Sequence, residues 1–264
     1  MKVFNTFCLI ATCCFSAFVK AGDITVAYEY VAWDADVAFS LDANGDGVVS
    51  INEDLDYHPE SEFHVVSFDY IYRFDNLSFL LNFKKAIDDS DLEGFYNFNG
   101  NKIFNVIDDT GDYKRFGIGI GYYNSESSRG GLELIYSDVD FDDSVLGGSA
   151  AKVEDLGVNL YQDYWISHKK FTLGLLFGTA ITRTKLDSSL LTVSQRLEAV
   201  SLALYVEPYF AYEIATDLSL MFKAGYWYQG DITDEFSSSS TGASDFGQIE
   251  QSFANFELGL NYKF

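Results

Sequence analysis

The chain has 264 residues, a formal net charge of −23, 17% aromatic residues and only two prolines. Such a polyanion repels nucleic acid and anionic lipid surfaces and attracts divalent cations, so nucleic acid is excluded as a partner. No segment after the first twenty residues approaches a 20-residue apolar run, which excludes helical membrane spans, whereas the aromatic content fits strands with Tyr and Phe at membrane interfaces.

The N-terminus opens with Lys2, continues with an apolar run from Phe4 to Val19 and ends in Val19-Lys20-Ala21. These are the basic start, apolar middle and small-residue cleavage pattern of a secretory signal peptide, residues 1–21, with the cut after Ala21. An uncleaved anchor would need a longer run, and a lipoprotein signal at Cys13 would need a small residue where Thr12 stands. Cys8, Cys13 and Cys14 all fall inside this segment, so the mature chain, 22–264, has no thiol, disulfide or cysteine-based site. Without Lys2 and Lys20 its net charge becomes −25, that is, −23 minus 2.

The first expected strand is Ile24–Ala32. A long segment, 38–61, follows and carries the pattern D-x-[DN]-x-[DN]-G-x5-E at 42–53. Asp42, Asn44 and Asp46 supply side-chain oxygens at positions 1, 3 and 5, and Gly47 permits the sharp turn. Val48 offers its carbonyl, Ser50 completes the shell directly or through water, and Glu53 closes it with both carboxylate oxygens. The motif resembles an EF-hand loop, so Ca²⁺ is the expected ion. The flanks give only a hint of helix before the loop, and His58-Pro59 ends the exit after little more than a turn. With no second loop to pair with, a modest structural site is expected, with Kd of roughly 10⁻⁴ to 10⁻³ M.

Apolar residues then recur at every second position in Val66–Phe74 and Leu77–Phe83, Phe116–Tyr122 and Leu132–Tyr136, Leu156–Tyr164 and Phe171–Ile181, and Val200–Tyr212 and Leu218–Tyr228. The last strand, Ala254–Phe264, ends in ELGLNYKF. Short turns at 75–76, 125–130, 168–170 and 216–217 alternate with long acidic segments near 38–61, 88–113, 142–154, 187–196 and 231–251. This rhythm predicts an all-β, antiparallel up-and-down transmembrane barrel of about ten strands, with eight or twelve as neighbouring counts, short periplasmic turns and long acidic outer loops.

If the apolar face is outward, the inward face holds Glu29, Asp69, Arg73, Lys84, Arg115, Glu133, Asp163, Glu207, Lys223 and Glu257. Six acids against four bases can pair across a narrow lumen, because a buried charge persists only when partnered or hydrated. Gly117, Gly119 and Gly121 face inward too and would leave room there.

In its terminal aromatic and alternating apolar residues, ELGLNYKF resembles the C-terminal insertion signal of bacterial outer-membrane β-barrel proteins, the small porin-like and OmpA-like class. That resemblance implies residence in the bacterial outer membrane as a monomer, in contact with lipid and lipopolysaccharide. The expected function is envelope integrity or surface interaction through a calcium-stabilised acidic loop. A narrow porin-like channel for small solutes is the alternative; a wide pore needs about 16 strands. A surface hydrolase using His58 or His64 is a third reading. No barrel-hydrolase motif surrounds either histidine, so no catalytic residue is assigned.

Overall fold

The computed structural model describes residues 22–41, 54–98, 101–143, 149–188, 195–238 and 244–264. The expected signal peptide, 1–21, and the expected calcium loop, 42–53, lie outside the described residues. The strands are β1 (Gly22–Leu41), β2 (Asp54–Phe74), β3 (Leu77–Ala86), β4 (Ser90–Phe98), β5 (Asn101–Ser125) and β6 (Ser128–Asp143). They continue with β7 (Ser149–His168), β8 (Phe171–Ser188), β9 (Gln195–Ala215), β10 (Leu218–Ser238) and β11 (Ser244–Lys263).

Each strand pairs antiparallel with its neighbours, and β1 pairs with both β2 and β11, so the sheet closes on itself. Closure leaves no unpaired edge, the condition for a sheet in hydrocarbon. Eleven strands make ten staves because β3 and β4 follow one another in the same place between β2 and β5. Pairing of β2 passes from Val65↔Ala86 to Glu60↔Glu93, so four residues of β2, 61–64, face six, 87–92. Ser61 bridges the irregularity, its hydroxyl donating to the Asp91 carbonyl at 2.6 Å.

All ten expected strands are present, and the first and last described residues meet at the turn end, where Gly22 and Phe264 exchange backbone hydrogen bonds of 2.9 and 3.0 Å. The tight turns fall at 75–76, 126–127, 169–170 and 216–217. Asp75, Lys169 and Asp217 adopt positive φ there, of 51°, 55° and 63°. The segments expected as long loops differ: the strands run deep into them. β1, β2, β9, β10 and β11 have 20, 21, 21, 21 and 20 residues, and β4 with the first part of β5 builds a strand pair inside 88–113. A membrane-spanning strand needs roughly 9–11 residues, so about half of each long strand stands beyond the bilayer.

The two halves have opposite polarity. At the turn end the outer surface is apolar, from Leu156 to Ile166 in β7 and Phe171 to Ile181 in β8, and the lumen is polar. At the loop end the alternation continues with its chemistry exchanged. Val31, Trp33, Ala35 and Val37 point inward and are buried, while Asp34 and Asp36 between them are exposed. Phe63, Val139, Phe141, Val153, Leu197 and Ile249 join them in one core. Phe141 packs on Trp33 at 5.6 Å and on Phe63 at 6.1 Å between ring centroids. Water bathes the outside of this half, so the hydrophobic effect drives the apolar residues into the lumen, as in a soluble barrel.

Candidate functional site

The lumen at membrane depth is a paired-charge network. All ten residues expected on the inner face are there. Lys84 Nζ lies 2.7 Å from Glu29 Oε1, which also accepts from Asn255 at 2.6 Å. Lys223 Nζ lies 3.2 Å from Glu257 and 3.9 Å from Asp69. The Arg115 guanidinium sits 4.7 Å from the centre of the Trp227 ring. Glu133 accepts from Asn82 and, at 3.0 Å, from Asn159. Asp163 accepts from Tyr209 at 3.0 Å and pairs with Arg129 at 3.3 Å. Each carboxylate named here has an ion-pair or hydrogen-bond partner on another strand, which offsets the desolvation that an isolated charge would suffer.

The inward glycines do not hold the lumen open. A Cβ on Gly117 would strike Glu133 and Asn82, one on Gly121 would strike Tyr161, and one on Gly119 would lie 2.6 Å from the Leu132 carbonyl. Gly131 takes the Tyr161 ring, Gly174 the Tyr209 ring and Gly178 the Tyr205 ring. Small residues on one strand thus make the seats for rings on the next, and the space expected to be free is filled.

Above the charge layer lies Asp155, which sequence reading missed because it falls at the edge of an expected loop. It is 4% exposed. It accepts from Gln229 at 2.9 Å, Gln251 at 3.0 Å, Thr184 at 2.7 Å and Ser137 at 3.4 Å. Gln251 is fixed in turn because its Oε1 accepts the Trp33 indole N–H at 3.1 Å. Next to this node is a void of about 30 Å³ lined by Lys84, Arg115, Asp155 and Gln229 among others, room for a water or two. Beyond it the apolar core closes the barrel. Charge network, Asp155 node and core stack in that order from the turn end.

The acidic residues expected in solvated loops are in part strand residues on the outer wall. Lys152 there lies 2.9 Å from Glu154 and 3.7 Å from Asp138. The Lys152 ammonium holds the Glu154 carboxyl below its ordinary range, whereas burial pushes Asp138 up. His58 pairs with Asp36 on the same outer wall. His64 accepts or donates to the Tyr28 hydroxyl and stacks on that ring at 5.8 Å. Asp69 is on the opposite, inward face, as expected. Neither imidazole reaches the interior network.

Of the expected calcium ligands Asp42, Asn44, Asp46, Val48, Ser50 and Glu53, the structure fixes only the frame. β1 ends at Leu41, β2 begins at Asp54, and Ser40 pairs with Asp54. The motif therefore occupies the whole connection between two adjacent strands, and strands replace the helices that flank an EF-hand loop. Among the described residues there is no group of three or more His, Cys, Asp or Glu side chains able to hold a metal ion.

No family model matches the chain, and no curated protein does. Solved structures do. The outer membrane protease OmpT from Escherichia coli is similar over 93% of this chain and 97% of its own, with a TM-score of 0.59 and 11% identity. The outer membrane protein OprG from Pseudomonas aeruginosa aligns over 93% and 97%, with a TM-score of 0.41 and 16% identity. At these identities the likeness is one of fold. The closed ten-stave sheet, its outward apolar band and the likeness in fold to OmpT make the chain a bacterial outer-membrane β-barrel, whose loop end faces outward from the cell.

Proposed function

We propose that this protein is a monomeric, non-conducting outer-membrane barrel that serves envelope integrity or surface interaction, and that one calcium ion orders its first outer loop. The observation that carries the closed-barrel reading is the apolar core in the outer half, where Phe63, Val65 and Leu197 are completely buried in what would be the channel path. The narrow-channel alternative would require that core to open.

The calcium reading is supported by the ligand spacing at 42–53 and by the strand pair that closes the loop at Ser40↔Asp54. The Ser40↔Asp54 pairing holds the two ends of the connection in register, which reduces the ordering cost of coordination. In calcium-rich surroundings such a site would be mostly filled and act as a clip.

Calcium titration of the refolded barrel, with the Asp42→Ala and Glu53→Gln variants, tests this reading. The wild type is expected to bind one ion and both variants to lose most of the affinity; equal binding by all three would remove the site from 42–53. The hydrolase alternative rests on the His58 and Asp36 pair. It would be supported by a turnover that disappears in His58→Ala.

A further inference from the structure

At membrane depth the sheet is closed, but the wall above it is not closed all round. β5 is the longest strand, with 25 residues. Its pairing with β6 stops at Gly111↔Phe141, and β6 turns back into β7 at Asp143↔Ser149. Beyond that level residues 101–107 of β5 pair with β4 on one side, from Leu92↔Ile107 to Phe98↔Asn101. Among the described residues nothing pairs with their other side. These seven residues therefore present an edge of backbone N–H and C=O groups open to another strand, over about 23 Å at the usual rise of a strand.

The composition of this edge and its surroundings define what fits. An edge that only faces water is ordinarily blunted by proline, several charges or a bulge. Here Asn-Lys-Ile-Phe-Asn-Val-Ile has no proline, one charge at Lys102 and several strong strand formers. The register shift of the β4–β5 pair lies at its base, between Ser90 and Leu92. A strand added antiparallel to 101–107 would run in line with β6, and its β6-side end would meet a concentration of acid. Asp108, Asp109 and Asp112 belong to β5, and β6 has four aspartates, ending in Asp142 and Asp143. The neighbouring Lys114 and Lys152 are engaged with Asp112 and Asp138 at 2.7 and 3.7 Å. A second copy of the chain would bring the same acid-flanked edge, so like charge opposes self-pairing.

We infer that residues 101–107 form a strand-addition site for an extended, basic segment of a partner protein outside the cell. The partner's main chain completes the ladder, which gives affinity without demanding one sequence, and lysine or arginine at its β6-side end meets the aspartates. The inference deepens the surface-interaction reading and rests on it.

The test uses the full mature barrel refolded in a zwitterionic detergent, with the fluorescent peptide Lys-Lys-Val-Thr-Val-Thr-Val-Thr as probe, read by anisotropy. It is compared with its Glu-Glu counterpart and with two forms N-methylated at one or the other alternate set of amides, since only one set can face β5. In a variant barrel, β6 and β7 are each lengthened by Thr-Val-Thr-Val between Asp143 and Ser149, so that β6 itself covers the edge. Heat-modifiable gel migration confirms that this variant is folded, and the N-methylated peptides need no change in the barrel. The parent peptide is expected to bind, and binding to weaken tenfold or more with the Glu-Glu peptide, with one N-methylated form and with the lengthened barrel. No binding of the parent peptide, equal binding of both N-methylated forms and the parent, or indifference to the lengthened hairpin would each overturn the inference. A wild-type dimer in analytical ultracentrifugation that the lengthened hairpin disperses would overturn it too and assign the edge to a second copy. Calcium titration and bilayer conductance report separately on the underlying reading, so failure of the peptide on a silent, calcium-binding barrel strikes the edge alone.

Discussion

Asp155→Asn is the substitution that the geometry makes most exacting. Each of its four partners donates to the carboxylate, so an ionised acid satisfies them all and an amide cannot. Oriented with its oxygen towards Gln229 and Thr184, the new side chain would turn an N–H against the Gln251 N–H. Gln251 cannot rotate to accept it without orphaning the buried Trp33 indole. The loss is one charge-assisted hydrogen bond and one buried donor left unpaired, about 2–4 kcal/mol together. Urea titration of the barrel in phospholipid vesicles, followed by Trp fluorescence, measures it. The double variant Asp155→Asn/Gln251→Glu restores a carboxylate that accepts from both the new amide and Trp33, and should recover most of the loss. An Asp155→Asn barrel as stable as the wild type, or a double variant no better than the single, would refute the donor-only description of this node.

Other expectations follow from the same construction. Phe63→Ala should cost about 3–5 kcal/mol in the same titration, because the completely buried ring leaves a cavity in a core fixed by surrounding strands. Gly119→Ala should be costlier than Gly121→Ala: the first Cβ meets the Leu132 backbone carbonyl at 2.6 Å, the second the ends of the Tyr161 and Ser78 side chains, which can move. Lys169→Gly should stabilise the barrel by up to about 1 kcal/mol, since φ is 55° there and a side chain is disfavoured in that region. Lys152→Met should destabilise by no more than about 1 kcal/mol at neutral pH, because the network is partly solvated. Glu154 has a lowered carboxyl pKa, so its share of that stability is present above the unfolded carboxylate value and is lost as pH falls through the folded one. The gap between variant and wild type should therefore close on acidification.

The membrane half of the fold was legible in the sequence because its outward alternation is clean, as in Phe256, Leu258, Leu260 and Tyr262, and its inward charges are conspicuous. The inward placement of the ten charges, and the pairing of Glu29 with Lys84 and of Glu257 and Asp69 with Lys223, followed from the cost of leaving them dry. The outer half was harder because the same period-2 pattern continues with reversed polarity. Asp34 and Asp36 fell beyond the expected end of the first strand at Ala32, yet Val31, Trp33, Ala35 and Val37, which alternate with them, are core. An acidic residue alternating with an apolar one marks a strand in water as surely as the reverse marks one in lipid. Asp155 was hidden for a different reason: nothing local shows that its partners come from Ser137, Thr184, Gln229 and Gln251 on four other strands. The inward glycines were placed correctly on their face but misread as space, since the residues that fill it, such as Glu133 and Tyr161, lie on neighbouring staves. The calcium motif was wholly a matter of sequence; β1 and β2 add the frame that holds its ends.

Planar-bilayer conductance of the refolded protein tests the closed barrel most directly. The stacked charge network, Asp155 node and apolar core predict a silent membrane, with no reproducible single-channel steps at any calcium concentration. Steps of uniform size from the wild-type barrel, persisting after purification as the folded monomer, would contradict it and restore the narrow channel.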